Sequence, residues 1–133
     1  MVTALDVCEP GGDLIICSEI SEGFGSEEFR ESQRALCRLG PEALQNTLAA
    51  KSHASIDEWQ TEMLLKALTK VNVFLYSPNL SDEDQALTGV HIAPSFNECI
   101  AASARRQKGA RPRVGVIPEG PYVVPCVAAE AAA

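Results

Sequence analysis

Apolar positions follow two different periods along the chain. Residues 14–17, Leu-Ile-Ile-Cys, are a short continuous apolar run, the pattern of a strand buried on both faces of a parallel sheet. Polarity then switches at once. Ser18, Glu19, Ser21, Glu22, Gly23, Gly25 and Ser26 make a polar loop, and Ser26 followed by Glu27 and Glu28 has the N-terminal signature of a helix. A helical period carries Phe29, Ala35, Leu36 and Leu39 to Gly40, a natural stop, and Pro41 restarts a second helix reaching about residue 50.

Ser55-x-x-Glu58 is a capping box that opens a helix to about Lys70, with Ile56, Trp59, Met63, Leu64, Ala67, Leu68 and Val71 as its apolar stripe. Residues 71–76 read as the second strand, closed by Ser77-Pro78-Asn79. Ser81-x-x-Asp84 caps a short helix, residues 89–93 form a brief third strand, and Pro94-Ser95-x-x-Glu98 opens a helix through Ala104. The basic run 105–113 reads as a solvated helix end, and residues 114–117 as a fourth strand. Strands alternating with helices predict a three-layer α/β/α fold with a mostly parallel sheet of about four or five strands, Rossmann-like. Residues 1–12, ending Glu-Pro-Gly-Gly, are expected to be a lead-in without a regular element. Residues 13–127 are expected to be one α/β domain and 128–133 a frayed tail.

Composition narrows the function classes. The 133 residues are 46% hydrophobic, enough for one domain with a real core, and the formal charge of −7 argues against nucleic acid or anionic membrane as partner. No apolar run reaches membrane-spanning length, and the start at Met1 lacks a basic region with a long apolar segment. Five cysteines, Cys8, Cys17, Cys37, Cys99 and Cys126, are odd in number and without metal-ligand spacing. They are expected to be reduced and mostly buried in a cytoplasmic protein. The two histidines, His53 and His91, are not paired at helical spacing, so a complete transition-metal site within the chain is not expected.

Two features carry candidate chemistry. Ligands of α/β sheets sit outside the carboxyl ends of the strands, which makes the loop at 18–26 the first candidate. It has neither dinucleotide nor P-loop spacing, and Glu19, Glu22, Glu27 and Glu28 would repel an unpaired anion, so a neutral or cationic ligand suits it. The second is Gln60, four residues after Ile56 and three before Met63, a polar amide on a face that should be dry. It is either tied to backbone or faces a cleft, because a buried amide must find partners.

Ser-Glu-Ile-Ser-Glu-Gly-Phe-Gly-Ser at 18–26, Asp-Glu-Trp-Gln at 57–60 and Val-Ile-Pro-Glu-Gly-Pro-Tyr-Val-Val-Pro at 116–125, in that order, resemble the C-terminal domain of the lactate racemase family. The resemblance covers nearly the whole chain. It implies a racemase or epimerase of 2-hydroxy acids that works by hydride transfer at C2 through a nickel-pincer nucleotide. In that family the cofactor-bearing lysine and the working histidines belong to an N-terminal domain, which would be this chain's partner. The C-terminal half orients the substrate and closes over it, and is not catalytic alone. By motif, Gln60 matches an active-site glutamine and is the expected catalytic residue. Ser21, Glu22, Gly23, Trp59, Met63 and Tyr122 are the expected substrate-binding residues, with core packing as the alternative for the two aromatics. Lactate-converting members carry a lysine where this chain has Met63, and a thioether supplies neither charge nor a strong hydrogen bond. A larger or differently polar 2-hydroxy acid is therefore expected. The Gly120–Tyr122 turn is expected to share the loop's edge of the sheet. Two further readings are a stand-alone α/β module binding a small ligand without catalysis, and a purely structural domain.

Overall fold

The computed structural model describes residues 2–107 and 112–127. In chain order the elements are β1 (Asp13–Cys17), α1 (Glu27–Leu39), α2 (Pro41–Ala49), α3 (Glu58–Leu68), β2 (Asn72–Tyr76), α4 (Asp82–Leu87), β3 (His91–Ile92) and α5 (Phe96–Arg106). Short 3-10 turns at Val2–Asp6 and Gly120–Tyr122 flank them.

Sheet order is β1-β2-β3, all parallel. Asp13 pairs with Asn72 and Cys17 with Tyr76 along β1 and β2, while Phe74 and Leu75 pair with His91 and Ile92. Side chains alternate between faces, as the period of two demands. Leu14, Ile16 and Val73 pack into a core with Leu5, Ala67 and Val71, and Leu36, Leu44, Leu64 and Leu65 form an adjoining cluster beneath α1, α2 and α3. Phe74 turns the other way, beside Ala102 of α5 and stacked on His91 at 5.1 Å. Helices thus cover both faces, which is the predicted three-layer α/β/α arrangement.

Asp13 fastens α5 to the amino edge of this sheet. Its carboxylate accepts hydrogen bonds from Asn72 Nδ2 at 3.0 Å, Ser103 Oγ at 2.8 Å, Arg106 Nε at 3.2 Å and Gln107 Nε2 at 3.2 Å. Burial alone would raise its pKa, but these bonds, led by Ser103, outweigh it and hold the group below the usual carboxylate range.

Several expectations are corrected. The sheet has three strands among the described residues, because 112–117 has no ladder and Val114 and Val116 stand in solvent. An apolar β-branched run becomes a strand only where an edge pairs with it. The lead-in does carry an element: the turn at Val2–Asp6 buries Leu5, and Lys70 Nζ bonds the Leu5 carbonyl. The third strand shortens to two residues. Among the cysteines Cys99 is buried, Cys8 is half-buried, and Cys17, Cys37 and Cys126 are exposed. Burial raises the Cys99 thiol pKa, with nearby Cys17 adding to it. The expected tail at 128–133 lies outside the described residues.

The α3 stripe is rotated from its expected position. Its buried residues are Glu58, Thr61, Leu64, Leu65 and Ala67, whereas Ile56 is 72% and Trp59 60% exposed. The helix starts at Glu58, two residues later than a Ser55 cap predicts, and half of the capping box forms: Ser55 N–H donates to Glu58 Oε2 at 2.9 Å, and Glu58 Oε1 pairs with Lys51 at 2.5 Å. With its charge satisfied, Glu58 goes inward and turns Ile56 and Trp59 out.

Candidate functional site

The loop at 18–26 leaves the carboxyl end of β1 and is held against the end of β2. Ser18 N–H donates to Tyr76 O at 3.1 Å, and the Glu19 carbonyl accepts from Ser77 Oγ at 3.1 Å and Asn79 Nδ2 at 2.9 Å. Positive φ at Gly23 and Gly25 lets the chain double back sharply enough to set Phe24 against Phe29, ring centroids 5.3 Å apart. Arg30 lies 5.6 Å from the Phe24 ring centroid and pairs with Asp84 of α4 at 2.5 Å. Ser26 ends the loop by accepting from Phe29 N–H at 3.1 Å and donating to Asp57 Oδ2 at 2.6 Å.

This last bond brings the start of α3 to the loop, and a cavity of about 400 Å³ lies between them. The sheet contributes Ile16, Val73 and Leu75 to its wall, the loop Ser18, Gly23 and Phe24, and the helices Phe29, Gln33, Gln60 and Leu64. The lining holds no charged side chain. Gln33 is 0% exposed; its Nε2 donates to Thr61 Oγ1 at 2.9 Å, while its Oε1 is buried without a partner. Such an oxygen costs about 1–3 kcal/mol.

The expected site residues separate into two groups. Gln60 and Gly23 meet on this one cavity, Gln60 half-buried. Ser21 and Glu22 lie exposed on the loop without lining the cavity. Trp59, next to Gln60, faces solvent, and half-buried Met63 receives Lys66 Nζ on its sulfur at 3.8 Å. Tyr122, 87% exposed, is not part of the cavity wall, and its expected place on the loop's edge lost its basis when 114–117 proved not to be a strand. Gln33 escaped sequence reasoning although the signal was present: it stands four residues after Phe29 and three before Leu36, the same break in an apolar face that singled out Gln60. Phe24 carried no periodic signal, since it sits in a loop.

Comparison with known proteins agrees with this architecture. The chain is similar to the structure of the lactate racemase apoprotein from Thermoanaerobacterium thermosaccharolyticum, with a TM-score of 0.69 and 18% identity over 82% of this chain and 26% of that one. It thus spans about a quarter of that protein's length, and the likeness is one of fold. No curated protein matches. A family model described as the lactate racemase C-terminal domain matches residues 1–125, nearly the whole of this chain. With the fold and the family model in agreement, the chain belongs to the lactate racemase C-terminal domain family.

Proposed function

We propose that this chain is the substrate-orienting, closing half of a racemase or epimerase of 2-hydroxy acids, with the redox chemistry at C2 supplied by a nickel-pincer nucleotide held on another domain. The observation that carries the reading is the meeting of Gln60 with the glycine loop on one cavity at the carboxyl edge of the sheet, in a chain of this family. Gln60 would orient the hydroxy acid by hydrogen bonding, and the loop with Phe24 would exclude water from it.

The residues present do not fit the cofactor itself. The cavity wall offers no histidine, cysteine or lysine, and the carboxylates of Glu19, Glu22, Glu27 and Glu28 around the loop oppose a phosphate. The cofactor therefore belongs to the partner domain, and this chain alone would not racemise.

The test supplies a cofactor-loaded N-terminal domain, fused or in trans, and follows racemisation of a panel of 2-hydroxy acids by chiral chromatography. Racemisation that requires this chain and drops with Gln60→Ala is the expected result. Equal rates with and without the chain would refute the proposal. A second reading, a small-ligand module without catalysis, is favoured by the fact that the cavity is built within this one chain. Ligand binding with no racemisation of any acid in the presence of the loaded domain would select it.

A further inference from the structure

Backbone strain in this chain falls where the first loop walls the cavity. Among the described residues two that are not glycine have positive φ: Asp57 at the start of α3, and Ile20, at 46°, in the cavity wall. Aspartate tolerates that region, but a β-branched side chain crowds its own backbone there, so Ile20 is the costly one. We infer that residues 20–25 are a lid on the cavity, held shut in a strained conformation at Ile20 and opening when that residue relaxes.

The loop is pinned at both ends and nearly free between them. At one end the Glu19 carbonyl accepts from Ser77 Oγ and Asn79 Nδ2, which fixes the peptide leading into Ile20 and leaves the strain on the Ile20 φ. At the other end Ser26 is bonded to Asp57. Among the described residues, only the turn bond from Gly23 N–H to the Ile20 carbonyl, at 3.1 Å, holds the backbone between these pins, and Ser21 and Glu22 lie exposed. Gly23 and Gly25 have positive φ, with open space around Gly23, so the chain can swing there as well. Phe24 is the latch: half-buried, it lines the cavity and is clasped by Phe29 and Arg30. Ile20 and Phe24 line the same cavity, so lifting this one segment removes two apolar parts of its wall and admits a ligand. Closing over the ligand restores the strain, which favours release afterwards. The motion lies within this chain and is separate from any closure of the chain on a partner domain.

The experiment compares the unmodified chain with Ile20→Ala, Ile20→Gly and Phe24→Ala by ¹⁵N relaxation dispersion and denaturant titration. Exchange on the microsecond-to-millisecond scale should span residues 20–25 and stop at Glu19 and Ser26. Alanine and glycine at position 20 both remove the side chain, but only alanine keeps the left-handed penalty. Ile20→Gly should therefore have an open population about threefold smaller than Ile20→Ala, and an unfolding constant smaller by a similar factor, the reverse of glycine's ordinary effect on a loop. Phe24→Ala should raise the open population about two- to tenfold, the worth of the lost ring stacking. An Ile20→Gly loop as mobile as that of Ile20→Ala, or a glycine variant less stable than the alanine one, would show that Ile20 stores no strain and overturn the lid. Absence of exchange across 20–25 even in Phe24→Ala would overturn it too, by showing that the segment is a fixed wall.

Discussion

Ser26 Oγ lies 2.6 Å from Asp57 Oδ2, a contact across 31 residues that joins the start of α1 to the start of α3. The same hydroxyl accepts from Phe29 N–H, so one side chain caps one helix and tethers another. Asp57 itself is left-handed, with φ 60° and ψ 0°, a conformation aspartate tolerates better than most residues. The glycine loop and Gln60 face one cavity because this contact holds their two helix ends together.

Breaking the tether should loosen the loop before it unfolds the domain. Ser26→Ala should cost about 1–2 kcal/mol, since it removes a cap and a charge-assisted bond together, and Asp57→Ala about 1 kcal/mol. The double variant should cost less than the sum, because both changes remove the same bond. Denaturant titration of the four proteins measures the coupling, and amide exchange across 18–26 should accelerate in each variant. Strict additivity would show the contact to be energetically idle.

Acidification should act through Asp13 and Glu58. In Glu58, as in Asp13, burial favours the neutral acid but is outweighed, here by the Lys51 ion pair and the Ser55 N–H, and the pKa lies below normal. Folded pKa values below the unfolded ones mean that the unfolded chain binds more protons, so stability rises with pH. Their contribution is complete above the unfolded values of about 3.9 and 4.3 and is lost as pH falls through the depressed folded values. Asp13→Asn should remove about 2–3 kcal/mol near neutrality, because an amide presents one acceptor where two are needed. Its denaturation midpoint should also fall less steeply between pH 5 and about pH 3 than that of the unmodified chain. Parallel pH profiles would exclude Asp13 as a source of acid sensitivity.

Gly89→Ala should destabilise the chain by about 2–3 kcal/mol. Gly89 has φ +68°, and a Cβ there would meet Leu36 Cδ2 at 2.9 Å in a core with little room to yield. Thermal unfolding tests this directly, and a melting temperature within about a degree of the unmodified one would show that Leu36 repacks freely.

Gln60→Ala and Met63→Lys should have opposite signatures in the assembled enzyme. The first should lower turnover about two- to tenfold with little loss of stability, having removed one orienting hydrogen bond. The second should lower stability by a few tenths of a kcal/mol, since a lysine at 63 lies one turn from Lys66, while raising the rate on lactate relative to larger acids. Kinetics on a hydroxy-acid panel beside thermal melts distinguishes them; unchanged kinetics in Gln60→Ala would remove it from the site.

Local chemistry alone determined the helices and the first loop of this protein. Ser26 and Gly40 bound α1, Pro41 opens α2, Ser81 caps α4 and Ser95 caps α5, each through hydrogen bonds within a few residues, and the parallel strands at 13–17 and 72–76 follow from apolar runs between such helices. The motifs that place the chain in its family are likewise continuous stretches of sequence. Tertiary structure alone decided which face of α3 is buried, because the Lys51–Glu58 pair turns that helix and no periodicity records an ion pair. It also decided the fate of 114–117, since a strand is a property of two edges and the run specifies one. Gln33 shows the boundary most clearly. The break in the α1 face was visible in the chain, but only folding brings Thr61 to one end of its amide and leaves the other end buried without a partner beside the cavity.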